Sequence, residues 1–103
     1  MQIVTSVAGV PIRLTQERLE HIARRHPEMR DQEARLLETV ATPDYVQAGD
    51  GGTLLAVKHY ARTPLTEKDC VVIYRELGGE DGFVVTAYLT RQPATWRRAL
   101  WKR

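Results

Sequence analysis

A short helix bounded by clear start and stop signals is the feature that most constrains the fold of this chain. Thr15 is a suitable N-cap residue, Glu17 favours the first turn, and Pro27 cannot continue a helix, so the segment is predicted to end at about His26. The residues that follow the i, i+3, i+4, i+7 spacing of a buried face are Leu19, Ile22, Ala23 and His26. The helix is therefore expected to pack on the rest of the chain through this stripe.

Two of the three histidines, His21 and His26, lie on this helix. Their five-residue spacing separates them by roughly 140° around the helix axis, so they are not expected to bind one metal ion. The single cysteine, Cys70, has no CxxC partner, which argues against a structural zinc site. We interpret His26 as a candidate proton-transfer group; the alternative is that it interacts with the last carbonyls of its own helix.

The length of 103 residues predicts a single domain, 1–103, with a hydrophobic core of its own. One cysteine cannot form an internal disulfide, and the sequence has neither a signal-peptide pattern nor an apolar run long enough to span a membrane. The expectation is a cytoplasmic protein without a membrane partner. The net charge of +2 says little about other partners.

The remaining patterns predict an α+β fold. We expect two N-terminal helices packed on one face of a small, mainly antiparallel sheet of about four strands, preceded by a short hairpin and closed by a C-terminal helix. The second helix is predicted to be capped by Asp31 and to stop before Pro43, and Pro93 fits the first turn of the closing helix. The hairpin is expected at 2–7 and 10–14, and the sheet strands at 44–47, 53–61, 70–77 and 83–91.

Alternation along the three long strands predicts that one sheet face is core and the other is polar. The residues expected on the polar face are Lys58, Tyr60, Tyr74, Thr86 and Tyr88. Strict alternation sends Arg75 and His59 to the core side, unless they lie at strand ends or a bulge turns them toward the site. The alternative is that these are ordinary cross-strand pairs that stabilise a sheet without a ligand.

The C-terminal segment 91–103 carries basic residues and no acidic one. Such a segment could attract phosphate through Arg97 and Arg98 and stack bases on Trp96 and Trp101. The alternative is that its tryptophans dock on the domain as the apolar stripe of a helix.

These residue types suit chemistry on a phosphate ester. Cleaving RNA without metal requires a base for the ribose 2′-hydroxyl, donors for the crowded phosphorane oxygens and an acid for the leaving 5′-oxygen. Histidine, lysine or arginine, and tyrosine or threonine hydroxyls can supply these roles. The glycines at 78, 79 and 82 indicate a hairpin turn rather than a phosphate-binding loop, and the carboxylates are scattered.

The order of elements also resembles a known superfamily. A first helix with Arg-Leu-Glu-His-Ile-Ala-Arg-Arg-His-Pro-Glu and later strands with Val-Val-Ile-Tyr-Arg-Glu and Val-Val-Thr-Ala-Tyr-Leu are similar to phage and toxin nucleases grouped with barnase, EndoU, colicin nucleases and RelE. The resemblance covers roughly 14–90. It implies a metal-independent ribonuclease, often a toxin, with His21 or His26 and Thr86 in the site and Lys58 or Arg75 stabilising phosphate.

The resulting hypothesis is an endoribonuclease that leaves a 2′,3′-cyclic phosphate and needs no cofactor. The catalytic candidates are His26, His21, Lys58, Arg75, Thr86 and Tyr88, and the candidates for nucleic-acid binding are Tyr60, Tyr74, Arg25, Arg97 and Arg98. The expected partners are RNA and a possible cognate inhibitor protein. Two alternatives remain: a non-catalytic module that binds nucleic acid or an inhibitor through the same surface, and a metal-dependent hydrolase using His21, His26 and His59.

Overall fold

The computed structural model describes residues 1–62 and 67–103, which form one seven-stranded mixed sheet and two α-helices. The elements are β1 (Gln2–Thr5), β2 (Pro11–Leu14), α1 (Gln16–Arg25), α2 (Glu33–Ala41), β3 (Tyr45–Ala48), β4 (Leu54–Tyr60), β5 (Lys68–Glu76), β6 (Gly82–Thr90) and β7 (Ala99–Lys102). The strand order is β1-β2-β6-β5-β4-β3-β7. Every neighbouring pair is antiparallel except β2 and β6, which are parallel.

The predicted fold is wrong in the size of the sheet and in its C-terminal element. The N-terminal hairpin joins the sheet, because Arg13 of β2 pairs with Phe83 of β6. The closing element is strand β7, which pairs with β3, and not a helix. A helix this short is marginal by itself, whereas the edge of β3 offers backbone groups that the C-terminal segment satisfies as a strand.

The predicted bounds of α1 are confirmed. The hydroxyl of Thr15 accepts a hydrogen bond from the backbone N–H of Arg18 at 3.1 Å, and the N–H of His26 closes the last turn on the carbonyl of Ile22. The prediction that Asp31 caps the second helix is wrong by one position. Asp31 has a φ of +60°, and Gln32 is the N-cap residue of α2.

Both faces of the central sheet are apolar, contrary to the predicted single core face. The helix-covered face carries the main core, which includes Ile22, Leu36, Val40, Ala56, Val72, Tyr74, Val84 and Ala87. The opposite face, called here the second face, carries a smaller buried cluster of Leu55, Val57 and Val71. The apolar runs 54–57 and 70–74 explain this, because strands buried on both sides lose the apolar and polar alternation.

The connection 91–98 covers part of the second face. It joins β6 to β7, which lie on opposite sides of β5, β4 and β3. The side chain of Gln47, which shares the second face with its cross-strand partner Leu55, donates to the carbonyl of Ala94 at 2.8 Å. The connection therefore shields the smaller cluster from water.

A bulge in β6 determines which residues of its C-terminal half lie on the second face. Ile73 of β5 pairs with Thr86, whereas the next residue, Tyr74, pairs with Val84, so Val85 is the extra residue. Val84 consequently lies in the main core, while Thr86 and the residue two positions later, Tyr88, lie on the second face. Within the described ranges no helix has the length and apolar character needed to cross a membrane.

Candidate functional site

The end of α1 brings His26 against Tyr88, a residue of the second face. Its imidazole contacts the Tyr88 ring, with ring centroids 5.6 Å apart and the planes inclined by 35°. α1 follows β2 directly and lies beside β6, where the guanidinium of Arg18 donates to the carbonyl of the bulge residue Val85 at 3.3 Å. The bulge thus both fastens the helix and turns Tyr88 toward the helix end.

The surroundings of His26 suit a proton-transfer group. The side chain is about one-third exposed, and its Nδ1 lies 3.6 Å from a carboxylate oxygen of Glu28. An imidazole is the side chain that most often acts as a general base, and this one is partly open to solvent.

Hydroxyl groups line β6 next to this imidazole. Thr86 lies two residues before Tyr88, so the two side chains point to the same face. Both residues are only partly buried. Strand β6 therefore presents a phenol and an alcohol on the second face, and the His26 imidazole lies against the phenol.

Two arginines reach the turn between β3 and β4, which borders the second face. Arg75 donates to the carbonyl of Gly51 at 2.7 Å. Arg97 pairs with the carboxylate of Asp50 at 3.1 and 3.3 Å. The hydrogen bond to Asp50 is the main cause that raises the pKa of Arg97, and the nearby Tyr88 raises it further. The same contact lowers the pKa of Asp50.

Three of the predicted site residues lie on the helix-covered face, so the prediction of one shared polar face is wrong. Tyr74 is 1% exposed and belongs to the main core. Lys58 donates to the carbonyl of Thr42 at 2.7 Å, and the Tyr60 hydroxyl donates to the Glu38 carboxylate. Burial is the main cause that raises the pKa of Tyr60. Lys58 and Tyr60 therefore fasten the sheet to the end of α2.

The other predicted residues have different surroundings. His21 lines a cleft of about 460 Å³ beside α1, together with Thr15, Glu17, Arg18, Glu20 and Arg24. Arg25 is exposed at the last position of α1. Arg98 is exposed, and its carbonyl accepts a hydrogen bond from the N–H of Ala48.

A second histidine, His59, lies on this face, which strict alternation predicts to be the core side. His59 of β4 pairs with Asp69 of β5, and the His59 Nδ1 lies 2.7 Å from the Asp69 carboxylate. This hydrogen bond is the main cause that raises the pKa of His59. Strict alternation does place His59 with Leu55 and Val57, and the error was to treat that side as closed core. Two strand spacings, roughly 10 Å, separate β4 from β6, whose Tyr88 contacts His26. His59 and His26 are therefore not expected to contact the same phosphate.

Within residues 1–62 and 67–103, no group of three or more histidine, cysteine, aspartate or glutamate side chains is arranged to hold a metal ion. Comparisons of the chain with protein-family models, curated proteins and solved structures gave no match.

Proposed function

We propose that this chain is a metal-independent endoribonuclease whose site lies on the second face, around His26 and Tyr88. The observation that carries the proposal is the contact between the His26 imidazole and the Tyr88 ring, on the strand that also presents Thr86. Arg97, which pairs with Asp50 at the border of this face, is the proposed cation. A base, hydroxyl donors and a cation are the groups that RNA cleavage through the 2′-hydroxyl requires.

In the proposed reaction, Nε2 of His26 takes the proton of the ribose 2′-hydroxyl, and the 2′-oxygen attacks the adjacent phosphorus. The bond from phosphorus to the 5′-oxygen breaks, leaving a 2′,3′-cyclic phosphate. Tyr88 donates its phenolic proton to the departing 5′-oxygen. Thr86 and Arg97 bind the phosphate oxygens, and Arg75 adds positive charge at the far border of the face.

The test is cleavage of end-labelled RNA in the presence of EDTA by the protein and its two helix-histidine variants. We expect His26→Gln to lower the rate by about 100-fold or more, as for loss of a general base. His21→Gln is the matched control and should cleave as the unchanged protein does, since His21 lines a different cleft. An RNA with 2′-deoxyribose at the scissile nucleotide should be resistant. Equal cleavage by His26→Gln, or activity that EDTA abolishes, would contradict the proposal.

A non-catalytic module that binds an inhibitor protein is the second candidate. It is favoured by a cleft of about 260 Å³ on the helix-covered face, where Leu100 and Trp101 of β7 meet Val46 and Leu54. Binding through this apolar cleft should change little with salt, whereas binding of RNA phosphates should weaken steeply as salt rises. Leu100→Lys should abolish partner binding and leave RNA cleavage intact.

A further inference from the structure

Trp96 is the most exposed large apolar side chain among the described residues. It lies in the connection that crosses the second face, and it is 75% exposed. The guanidinium of the next residue, Arg97, covers the ring with its central carbon 4.3 Å from the ring centroid. The exposed indole therefore offers a flat aromatic surface next to a cation.

Arg97, whose guanidinium lies over the ring, makes further contacts. Its guanidinium pairs with Asp50 and lies 3.4 Å from the carbonyl of Ala48, and the side chain is only 16% exposed. Trp96 therefore stands at the border of the second face, one residue from a cation that belongs to the proposed site.

The basic segment that carries the ring favours an anionic ligand, although Arg97 pairs with Asp50 and Arg103 with Asp44. The chain from 82 to 103 has no acidic residue. Its basic residues are Arg91, Arg97, Arg98, Lys102 and Arg103. Proteins bind single-stranded nucleic acid through exposed aromatic rings next to basic residues. The basic residues attract the phosphates, and an unpaired base can stack on the ring.

We propose that Trp96 is the stacking platform for an unpaired base next to the scissile phosphate, so that the substrate is single-stranded RNA. This inference rests on the proposed function for its location. Bases within a duplex are already stacked on each other and cannot lie on the indole. The platform should therefore distinguish single strands from duplexes even when no cleavage takes place.

The second tryptophan provides an internal control. Trp101 pairs with Val46 and lines the cleft on the helix-covered face, so it faces away from Tyr88. The chain has two tryptophans in total. When one of them is replaced by phenylalanine, the tryptophan fluorescence of the variant comes from the other alone.

The first experiment titrates a short single-stranded DNA, which lacks the 2′-hydroxyl and cannot be cleaved, into each variant in EDTA. Stacking should quench the fluorescence of Trp101→Phe, where Trp96 is the reporter, and leave that of Trp96→Phe nearly unchanged. The second experiment measures affinity for the same labelled DNA by anisotropy. Trp96→Ala should weaken binding by about 5- to 150-fold, the loss expected for one base stacked on an aromatic ring.

The outcomes separate this inference from the proposed function. Quenching and weakened binding without RNA cleavage by the unchanged protein would support the platform and overturn the nuclease. Cleavage with the same KM in Trp96→Ala and the unchanged protein would overturn the platform alone. Equal affinity for single-stranded and duplex DNA would also overturn it, as would quenching confined to Trp101.

Discussion

The imidazole of His26 packs against the ring of Tyr88, and this contact joins the end of α1 to the C-terminal half of β6. It depends on two features far apart in the sequence. Pro27 ends the helix just after His26, and the bulge at Val85 turns Tyr88 to the second face. Neither feature alone brings the two rings together.

The role of the Tyr88 phenol as proton donor can be tested with two leaving groups. Tyr88→Phe keeps a ring beside His26 but removes the hydroxyl. We expect cleavage of RNA to fall by about 100-fold or more, because a ribose 5′-oxygen needs an acid to leave. A nucleoside 3′-phosphate ester of nitrophenol should react at nearly the original rate, since its leaving group needs no proton. His26→Gln should slow both substrates, and equal losses on both in Tyr88→Phe would exclude the proton-donor role.

The N-cap of α1 should contribute measurably to stability. Thr15→Ala removes the hydroxyl that accepts a hydrogen bond from the N–H of Arg18. We expect the free energy of unfolding to fall by about 1 kcal/mol in urea denaturation. The neighbouring exposed position supplies the control, and Gln16→Ala should change stability by less than about 0.5 kcal/mol. Equal effects of the two substitutions would show that the cap is not formed in solution.

Two glycines in turns should respond oppositely to alanine. A Cβ at Gly49 would lie 2.2 Å from the Thr53 hydroxyl oxygen and 2.6 Å from a methyl of the buried Leu55. The Thr53 hydroxyl is held by the carbonyl of Asp50 at 2.7 Å, so it cannot easily move. Gly49→Ala should cost about 1–3 kcal/mol.

Gly79 has nothing within 4 Å of an added Cβ and an ordinary φ. Gly79→Ala should therefore leave the free energy of unfolding unchanged or raise it by up to about 1 kcal/mol, because alanine lowers the conformational entropy of the unfolded chain. Urea denaturation of both variants checks the pair. Equal destabilisation by the two substitutions would contradict the described turn at 49–53.

The predictable parts of the fold depend on local signals. Thr15 and Pro27 determine the bounds of α1 through their own backbone chemistry, and the glycines at 49–52 and 78–82 mark the two turns correctly. β7 was not predictable in this way. Its conformation depends on the free edge of β3, about fifty residues earlier, and the i, i+4 spacing of Trp96 and Leu100 fits a helix stripe equally well.

The candidate site was predictable in its members more than in its arrangement. His26, Thr86, Tyr88, Arg75 and Arg97 were all singled out from the sequence. Their placement on the face opposite Lys58, Tyr60 and Tyr74 was not predictable, because one extra residue at Val85 reverses the alternation of β6. Lys58, Tyr60 and Tyr74 were grouped with them because the prediction assumed a single apolar face.

The ion pair between His59 and Asp69 should make stability depend on pH in a defined direction. The hydrogen bond to Asp69 raises the pKa of His59 in the folded protein, and Asp44 and Glu67 add to this. The unfolded chain has the ordinary histidine pKa of about 6.5. The folded state therefore binds the proton more tightly. Its stabilising contribution is complete below about pH 6.5 and is lost as the pH rises through the higher folded value.

The measurement is a double-mutant cycle of His59→Gln and Asp69→Asn, in which urea denaturation gives the free energy of unfolding of each protein at about pH 5.5 and about pH 8.5. At the lower pH the coupling between the two positions should stabilise the fold, and at the higher pH it should be smaller. The cycle removes contributions from other titrating groups, since these are common to all four proteins. A coupling that grows with pH would show that the neutral imidazole, rather than the imidazolium, is the preferred partner of Asp69.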